Sequence, residues 1–203
     1  GAPVELKIND QILPRWSCHQ LNIGDTLSLT PGEVGLRSYL GVANGFDIDL
    51  DFHSTSTVVR ESIGGLNGDK LAAGDVLNCG GFEGRLKMKL PSEQHPIYKN
   101  HASLRVIPGY QYDDFSKLDV KRFFSNRYTV SDRSDRMGYR LLGPSIQNKS
   151  EQLLSEGISL GAIQIPADGQ PIVLLNDRQT IGGYPKLGSV FSLDVSLLSQ
   201  LRP

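Results

Sequence analysis

The segment spanning residues 161–186 constrains the fold of this chain more than any other. It reads GAIQIPADGQPIVLLNDRQTIGGYPK, in which short apolar runs alternate with proline, glycine and polar residues. Proline fixes φ and glycine frees it, so the turns here are specified by the sequence itself. We predict a strand at 162–165, a turn at 166–169 and a second strand at 171–175. The polar residues 176–186 then form either a ligand site or a glycine-rich loop after an ordinary hairpin.

The rest of the chain shows the same punctuation, which is typical of strands and turns. It holds 22 glycines and 11 prolines, whereas aromatic residues make up only 7%. An alternating pattern predicts strands at Val4–Ile8 and Gln11–Leu13, joined by a turn at Asn9 and Asp10. Further strands are predicted within 23–30, 36–43, 103–107, 128–130 and 188–195. Helical patterns are confined to one or two short helices within 112–128 and a short helix at 196–201.

Length and charge bound the class of protein. With 203 residues the chain forms one large domain or two small ones, with a linker-like stretch at 79–102 as the expected boundary. A net charge of -1 with dispersed lysines and arginines argues against a nucleic-acid-binding surface. No apolar run reaches the ~20 residues that a membrane span requires. Cys18 and Cys79 are expected to be reduced and packed, which indicates a cytoplasmic protein.

Residue spacing gives no support to metal or serine-nucleophile chemistry. The four histidines are scattered, and none pairs with a cysteine or carboxylate at ligand spacing, so we expect no metal site. There is no Gly-x-Ser-x-Gly nucleophile elbow, and the glycines at 64–68 do not form the Gly-x-x-x-x-Gly-Lys-Ser/Thr pattern of a phosphate-binding loop. Three polar clusters remain as candidates for a functional site, at 54–60, 135–140 and 164–186.

These clusters carry a resemblance to a known family. The matching stretches are 37–45, 54–57, 64–68 with 71–77, 134–141 and most of 161–186. They resemble the C subunit of bacterial ATP-dependent 5-oxoprolinase, a family also known as allophanate hydrolase subunit 2 or biotin-dependent carboxyltransferase. The antagonist of the bacterial sporulation-kinase inhibitor and part of urea carboxylase are members of this family. The resemblance spans the chain, which is similar to roughly the C-terminal two-thirds of the family's full-length protein.

The resemblance implies a cyclophilin-like β-barrel with a few short helices. It also implies two partners, a B subunit related to the kinase inhibitor and an A subunit, with which the chain would convert 5-oxoproline, ATP and water into glutamate, ADP and phosphate. No cofactor would be bound by this chain alone, and biotin would be used only by a true carboxyltransferase. Thr55 and Asp69 stand where the family has arginine. An anion held by those arginines in relatives would be held differently here or not at all.

The family's substrates share an amide-like carbonyl flanked by N–H, and its activation requires donors at the oxygen and an acceptor for the N–H. Asp177 is the expected acceptor or base, with Tyr184 as a second candidate. Gln164 and Arg178 are the expected donors. The residues expected to bind the rest of the substrate are Ser54, Ser56, Thr57, Arg136, Arg140, Thr180, Gly182, Gly183 and Lys186.

Each assignment has a structural alternative. Asp177 and Arg178 could instead brace a turn or pair with Asp135 and Arg136. The hydroxyls at 54–57 could cap a helix that begins near Thr57. The side chain of Gln164 could instead bond to the backbone, and the ring of Tyr184 could instead pack before Pro185.

Three functions follow from the resemblance. The chain is expected to be an enzyme subunit of 5-oxoprolinase that is inactive alone and acts on a small amide or lactam. The first alternative is a subunit that works with urea carboxylase or allophanate hydrolase. The second is a non-catalytic regulator that binds a kinase-inhibitor-like B subunit. In the enzyme, Asp177→Asn is expected to abolish activity without unfolding the protein.

Overall fold

The computed structural model of the chain describes residues 1–82, 84, 87–148 and 154–203. These residues form eleven short strands and two α-helices, so the predicted mainly β fold is confirmed. Arg85, in the predicted linker, lies outside the described residues. The strands are β1 (Val4–Ile8), β2 (Gln11–Leu13), β3 (Leu27–Pro31), β4 (Val106–Pro108), β5 (Thr129–Val130), β6 (Gly138–Leu142), β7 (Glu156–Gly157), β8 (Ala162–Gln164), β9 (Ile172–Leu174), β10 (Ile181–Gly182) and β11 (Lys186–Val190).

A six-stranded antiparallel sheet positions the segment singled out in the sequence. Its strand order is β4-β11-β8-β9-β6-β5, so β8, β9 and β11 are central strands. The predicted turn between β8 and β9 is observed, and in it the N–H of Gly169 donates to the carbonyl of Pro166 at 2.9 Å. A second sheet has the order β2-β1-β3, and a two-stranded ribbon pairs β7 with β10. Closure of the strands into a cyclophilin-like barrel stays a prediction.

The hydrophobic core lies against one face of the six-stranded sheet. Tyr139, Ile163, Val173 and Leu187 are each at most 1% exposed and belong to one cluster with residues of both helices. The opposite face carries a smaller apolar group of Ile158, Ala162 and Leu174. Because both faces are covered, all three residues of β8 are buried, including the polar Gln164.

A register shift interrupts the pairing of β11 with β8. Lys186 pairs with Gln164 and Gly188 pairs with Ile163, so β11 carries one extra residue, a β-bulge, at this point. Because successive side chains of a strand alternate between the two faces of a sheet, Lys186 and Leu187 lie on opposite faces. Leu187 enters the core, whereas Lys186 lies beside Gln164 on the other face.

Both helices are short, as predicted. Helix α1 (Lys117–Ser125) follows a 3₁₀ turn at Tyr112–Asp114 and is capped by Ser116, whose hydroxyl oxygen accepts from the N–H of Asp119 at 3.0 Å. Helix α2 (Ser192–Leu198) begins four residues before the predicted 196–201, because β11 ends at Val190 rather than at residue 195. The carboxylate of Asp194 accepts from the backbone and the side chain of Arg105, and these bonds hold α2 beside the start of β4.

The predicted hairpin at the start of the chain is confirmed, but the predicted strand at 36–43 is wrong. Asn9 and Asp10 have φ of 50° and 65°, as a two-residue hairpin turn requires. At 36–43 no strand is assigned. The side chain of Gln200 accepts from the N–H groups of Leu36 and Arg37 and donates to the carbonyl of Arg37, so a distant side chain occupies the place of a neighbouring strand.

The chain divides into two units. The first comprises residues 1–15, 27–38 and 96–203 and contains every strand named above together with the buried hydrophobic residues found in the described chain. The second comprises residues 16–26 and 39–95, and its described residues form isolated bridges and two 3₁₀ turns but no strand. The expected boundary within 79–102 stays a prediction, although the chain passes from the second unit to the first between His95 and Pro96.

Two further sequence expectations concern cysteines and membranes. Cys18 and Cys79 are free and exposed, so the expectation of packed thiols is wrong. No helix within the described residues is long and apolar enough to cross a membrane.

Candidate functional site

A row of polar side chains crosses the face of the sheet that points away from the main core. In successive pairs, Lys186 stands opposite Gln164, Gln164 opposite Ile172, and Ile172 opposite Arg140. Side chains of directly paired residues share one face of an antiparallel sheet. The register therefore brings together Lys186, Gln164 and Arg140, three residues that the sequence analysis selected as candidates.

Gln164 is the most unusual member of this row. The residue is only 5% exposed, and its side-chain amide makes no hydrogen bond to any other described residue. The backbone-bonding alternative for this side chain is not observed within the described residues.

Gly182 lies close to the Gln164 amide. A Cβ atom added to Gly182 would stand 3.3 Å from Nε2 of Gln164 and 2.8 Å from Cδ1 of Ile158. The ribbon of β7 and β10 thus approaches the row closely because residue 182 has no side chain. The backbone of Gly182, one of the predicted binding positions, belongs to the same site.

Lys186 is held by two residues that the sequence analysis did not select. Its ammonium forms an ion pair with Glu156 on β7, and its backbone N–H donates to Oε1 of Gln111 at 2.7 Å. Gln111 in turn donates from Nε2 to Oε1 of Glu156 at 2.8 Å. Gln111, Glu156 and Lys186 therefore form a closed group, and with Gln164 and Gly182 we call it the polar cluster.

The ammonium of Lys186 is buried, yet it lacks a well-directed acceptor. Nζ contacts Glu156 as an ion pair, but its alignment does not satisfy a hydrogen bond, and no other described residue supplies one. The side chains of Lys186 and Glu156 are 11% and 27% exposed, respectively. Removing such charges from water is expensive, so a buried pair is weak evidence for a stabilising role.

Asp177 and Arg136, placed in the sequence analysis as base and anion-binding residue, pair with each other. Nε of Arg136 lies 2.8 Å from Oδ2 of Asp177, and Nη2 donates to Oδ1 at 3.0 Å. Both carboxylate oxygens are thus engaged by one guanidinium in the bidentate geometry that arginine favours. This arrangement favours the bracing alternative for Asp177, and its assignment as a base stays a prediction.

Arg178 braces the backbone around the polar cluster. Its Nε donates to the carbonyl of Ile158 at 3.1 Å, and Nη1 donates to the carbonyl of Leu175 at 3.3 Å. These bonds connect the end of β9 to the residue that follows β7. Arg178 thereby braces the ribbon that carries Glu156, and its assignment as a donor to the substrate stays a prediction.

The remaining candidates of the first unit lie at the edge of the site. Nη1 of Arg140 lies 3.2 Å from Oδ2 of Asp168 in the turn after β8. Thr180 and Gly183 are exposed, and Tyr184 is 52% exposed, so close packing of its ring before Pro185 is not observed. Their assignment as binding or catalytic residues stays a prediction.

Ser54, Ser56 and Thr57 belong to the second unit. The expected helix cap is absent from them, because the 3₁₀ turn Val59–Glu61 has no side-chain cap. Instead, the hydroxyl oxygen of Ser54 accepts from the N–H of Ser56 at 3.1 Å. The glycines at 64 and 65 have φ of 73° and 58°, and a Cβ at either would overlap Ser56 or Thr57.

Gln111 and Glu156 are the site residues that sequence reasoning missed. Their partners are 75 and 45 positions away along the chain, so no local spacing could reveal them. A lysine expected to lie in a site with little water requires an acid to balance its charge, but the sequence does not indicate which acid. Within the described residues, no group of three or more His, Cys, Asp or Glu could hold a metal ion, and the expectation that the chain binds none stays a prediction.

Comparison with known proteins confirms the family resemblance. The chain belongs to the carboxyltransferase domain family, subdomains A and B, whose model matches residues 1–203. It is 36% identical over 204 residues to the 5-oxoprolinase C subunit of Escherichia coli (strain K12), and 33% identical over 203 residues to the 5-oxoprolinase C subunit of Haemophilus influenzae. These alignments cover 99% and 100% of this chain, which spans 64% of the length of each relative.

The names of more distant relatives refer to urea. A putative urea carboxylase of Emericella nidulans is 27% identical over 219 residues, covering 100% of this chain and 17% of the relative. The crystal structure of the K. lactis urea amidolyase superposes with a TM-score of 0.86 at 25% identity. That match covers 100% of this chain and 14% of the larger one, so the fold described above is that of a carboxyltransferase domain.

Proposed function

We propose that this chain supplies the C subunit of an ATP-dependent 5-oxoprolinase, which converts 5-oxoproline, ATP and water into glutamate, ADP and phosphate. The observation that carries the proposal is the polar cluster, a buried group with two underused hydrogen-bonding side chains, in a chain that is 36% identical to the C subunit of a 5-oxoprolinase. We assign the other wall of the site to a B subunit, and an A subunit completes the ATP-dependent enzyme. The complex is expected in the cytoplasm.

The chemistry of lactam opening fits this cluster. Negative charge develops on the lactam oxygen when its carbonyl is attacked, and preorganised donors in a site with little water stabilise that charge most. The amide N–H groups of Gln164 and the ammonium of Lys186 are two such donors on one face of one sheet. Both belong to rigid central strands, which hold donors in place better than loops do.

A reconstituted assay tests the proposal. This chain, the A subunit and the B subunit would be purified separately and combined, and 5-oxoproline-dependent release of phosphate and glutamate would be measured with and without biotin. We expect turnover only when all three chains are present, and no requirement for biotin. Turnover by this chain alone would contradict the proposal that the site is shared with a B subunit.

The urea relatives supply a second candidate substrate. Because a putative urea carboxylase and a urea amidolyase match the full chain, urea is the appropriate competing substrate in the same assay. Urea-dependent turnover that requires biotin, with none on 5-oxoproline, would replace the proposed function by this second one. Tight binding of the B subunit with no turnover on either substrate would identify a regulator instead.

A further inference from the structure

We propose that residues 99–104, which lie just before the edge strand β4, dock an extended segment of a partner protein. The partner segment adds a strand beside these residues, places an apolar side chain in the adjoining cleft and presents a carboxylate to Lys99. We call residues 99–104 the open segment. This role is independent of the proposed function, because it concerns a surface that shares no residue with the polar cluster and holds for any substrate.

The open segment is strand-like in its burial pattern. A strand is predicted at 103–107, but only Val106–Pro108 is assigned to β4. Successive residues from His101 to Ile107 alternate between exposed and half-buried. Such alternation is typical of an extended chain that packs one face against a core. The residues before β4 therefore continue its direction without a neighbouring strand.

The end of β11 explains why the open segment has no neighbour. β4 is the edge strand of its sheet and pairs with β11. The N–H of Phe191 donates to the carbonyl of Arg105 at 2.8 Å, and the chain then enters α2, so the pairing stops. The open segment forms no hydrogen bond with any described residue. Unpaired backbone groups at a sheet edge are a template for a strand of another chain.

A cleft of about 320 Å³ adjoins the open segment. It is bounded on one side by residues 97–99 and 101–103 and on the other by the end of α2, including Leu197. Leu193 and Leu197 stand one turn apart on α2 and are 68% and 42% exposed, and Ile97 is 83% exposed. Since ligand pockets measure roughly 300–1,000 Å³, this cleft suits one or two apolar side chains of a docked segment.

The charge around the cleft selects an acidic partner. Residues 96–110 contain one lysine, one histidine, one arginine and no acid. Arg105 is paired with Asp194, whereas Lys99 and His101 line the cleft and form no ion pair with a described residue. A carboxylate of the partner would therefore complement Lys99. A second copy of this chain is the poorer occupant, because pairing two open segments would bring like charges together.

Binding of a designed peptide to this chain provides the test. The probe is acetyl-Thr-Glu-Leu-Glu-Leu-Glu-Thr-amide, which alternates carboxylates with apolar side chains, and the control peptide has lysine in place of each glutamate. We expect the acidic peptide to bind at least about tenfold more tightly than the lysine peptide, with an affinity that falls as salt is added. Hydrogen exchange of the N–H groups in the open segment should slow when the acidic peptide binds.

N-methylation of the probe tests whether it binds as a strand. Successive N–H groups of an added strand point alternately towards the sheet edge and away from it. The two alternating sets of peptide N–H groups are therefore methylated in separate peptides. One set should abolish binding, whereas the other should leave the affinity within about threefold, because its N–H groups make no hydrogen bond to the edge. Equal losses with both sets would overturn the proposal.

Variants of the chain test the side-chain contacts. Lys99→Glu should reverse the preference between the two peptides. Lys117→Glu is the matched control and should not change this preference, since Lys117 is an exposed lysine of α1 that forms no ion pair with a described residue. Ala102→Leu fills part of the cleft and should weaken the acidic peptide at least about tenfold. Replacing the leucines of the probe by alanine tests the same contact without altering the protein.

Three outcomes would overturn the docking site as proposed. The first is no binding of the acidic peptide up to about 1 mM, an affinity too weak for a specific site. The second is an unchanged peptide preference in Lys99→Glu. The third is self-association of the chain with slowed exchange in the open segment when no peptide is present, which would make a second copy the occupant. The proposed function is tested separately, by turnover in the three-chain complex.

Discussion

Two ion pairs of the same unit differ in how much water they keep. Lys186 and Glu156 lie against the sheet with side chains 11% and 27% exposed, and the ammonium has no aligned acceptor. Arg136 and Asp177 form a bidentate pair in which the side chains are 56% and 13% exposed. The second pair has better geometry and the more buried carboxylate, whereas the cation of the first pair has lost far more hydration. Geometry and burial of the cation therefore rank the two pairs in opposite order as candidates for function.

The difference shows where this chain departs from maximum stability. An exposed, well-formed pair contributes up to about 1 kcal/mol and needs no functional explanation. A buried pair with unused donors can often be replaced by apolar residues without loss of stability. The polar cluster is thus the place in the described chain where a functional requirement best accounts for the residues present.

The largest expected effect comes from breaking the buried pair on one side. Lys186→Met leaves Glu156 without its counter-charge, and because Glu156 keeps some solvent we expect a loss of about 2–3 kcal/mol, at or below the lower end for buried pairs. The measurement is urea unfolding, with the midpoint lowered and the slope unchanged. The double variant Lys186→Met with Glu156→Leu should recover most of the loss, and a double variant as unstable as the single one would contradict the argument.

A third pair, Arg105 with Asp194, tests the effect of pH. The side-chain hydrogen bonds from Arg105, followed by its backbone N–H, lower the pKa of Asp194 from 3.8 to about 2. Because the pKa is lower in the folded protein, the stabilisation is complete above about pH 4 and is lost as the pH falls towards about 2. Asp194→Asn should therefore lose less stability over this window than the wild type, as measured by urea midpoints at each pH. Equal losses of stability in the variant and the wild type would contradict the lowered pKa of Asp194.

Asp177→Asn should have a smaller effect on stability. Asparagine retains one acceptor for the half-exposed Arg136, so we expect a change within about 1 kcal/mol by urea unfolding. Since both carboxylate oxygens are engaged by Arg136, we also expect the three-chain complex to retain activity with this variant. Loss of activity with native stability would instead support Asp177 as a base.

The smallest effect is expected for Arg140→Gln. The guanidinium makes a single 3.2 Å contact to Asp168, and the two side chains are 35% and 53% exposed. Exposed pairs of this kind contribute little, so we expect a change within about 0.5 kcal/mol. Glutamine keeps most of the stem that covers the sheet, which makes this variant a control for Lys186→Met. A loss of stability comparable to that of Lys186→Met would show that the exposure of an ion pair does not decide how much its removal costs.

Local features of the fold could be predicted from the sequence. The hairpin of β1 and β2 and the turn between β8 and β9 formed where glycine, asparagine, aspartate and proline specify the backbone. The stretch at 36–43 shows the limit of this approach. Its apolar pattern resembled a strand, but at its start the amide side chain of Gln200, from the other end of the sequence, bonds to the peptide groups of Leu36 and Arg37.

The residues of the candidate site could also be predicted only in part. Gln164, Lys186 and Gly182 were selected because they lie in one unusual segment, and the structure places them together. Gln111 and Glu156 join them only through folding, so no motif connects them in the sequence. Asp177 was selected for its chemistry, whereas its environment is decided by Arg136, 41 positions earlier.

The alternation of side chains along β11 has a consequence for how this protein can vary. Consecutive residues, Lys186 and Leu187, serve the polar cluster and the hydrophobic core, because successive side chains of a strand point to opposite faces of the sheet. A one-residue slip of this strand would exchange their surroundings, with an ammonium directed into the core and a leucine directed into the cluster. Insertions and deletions in this strand should therefore be far less tolerated than substitutions, and the spacing of these residues is itself part of what the segment encodes.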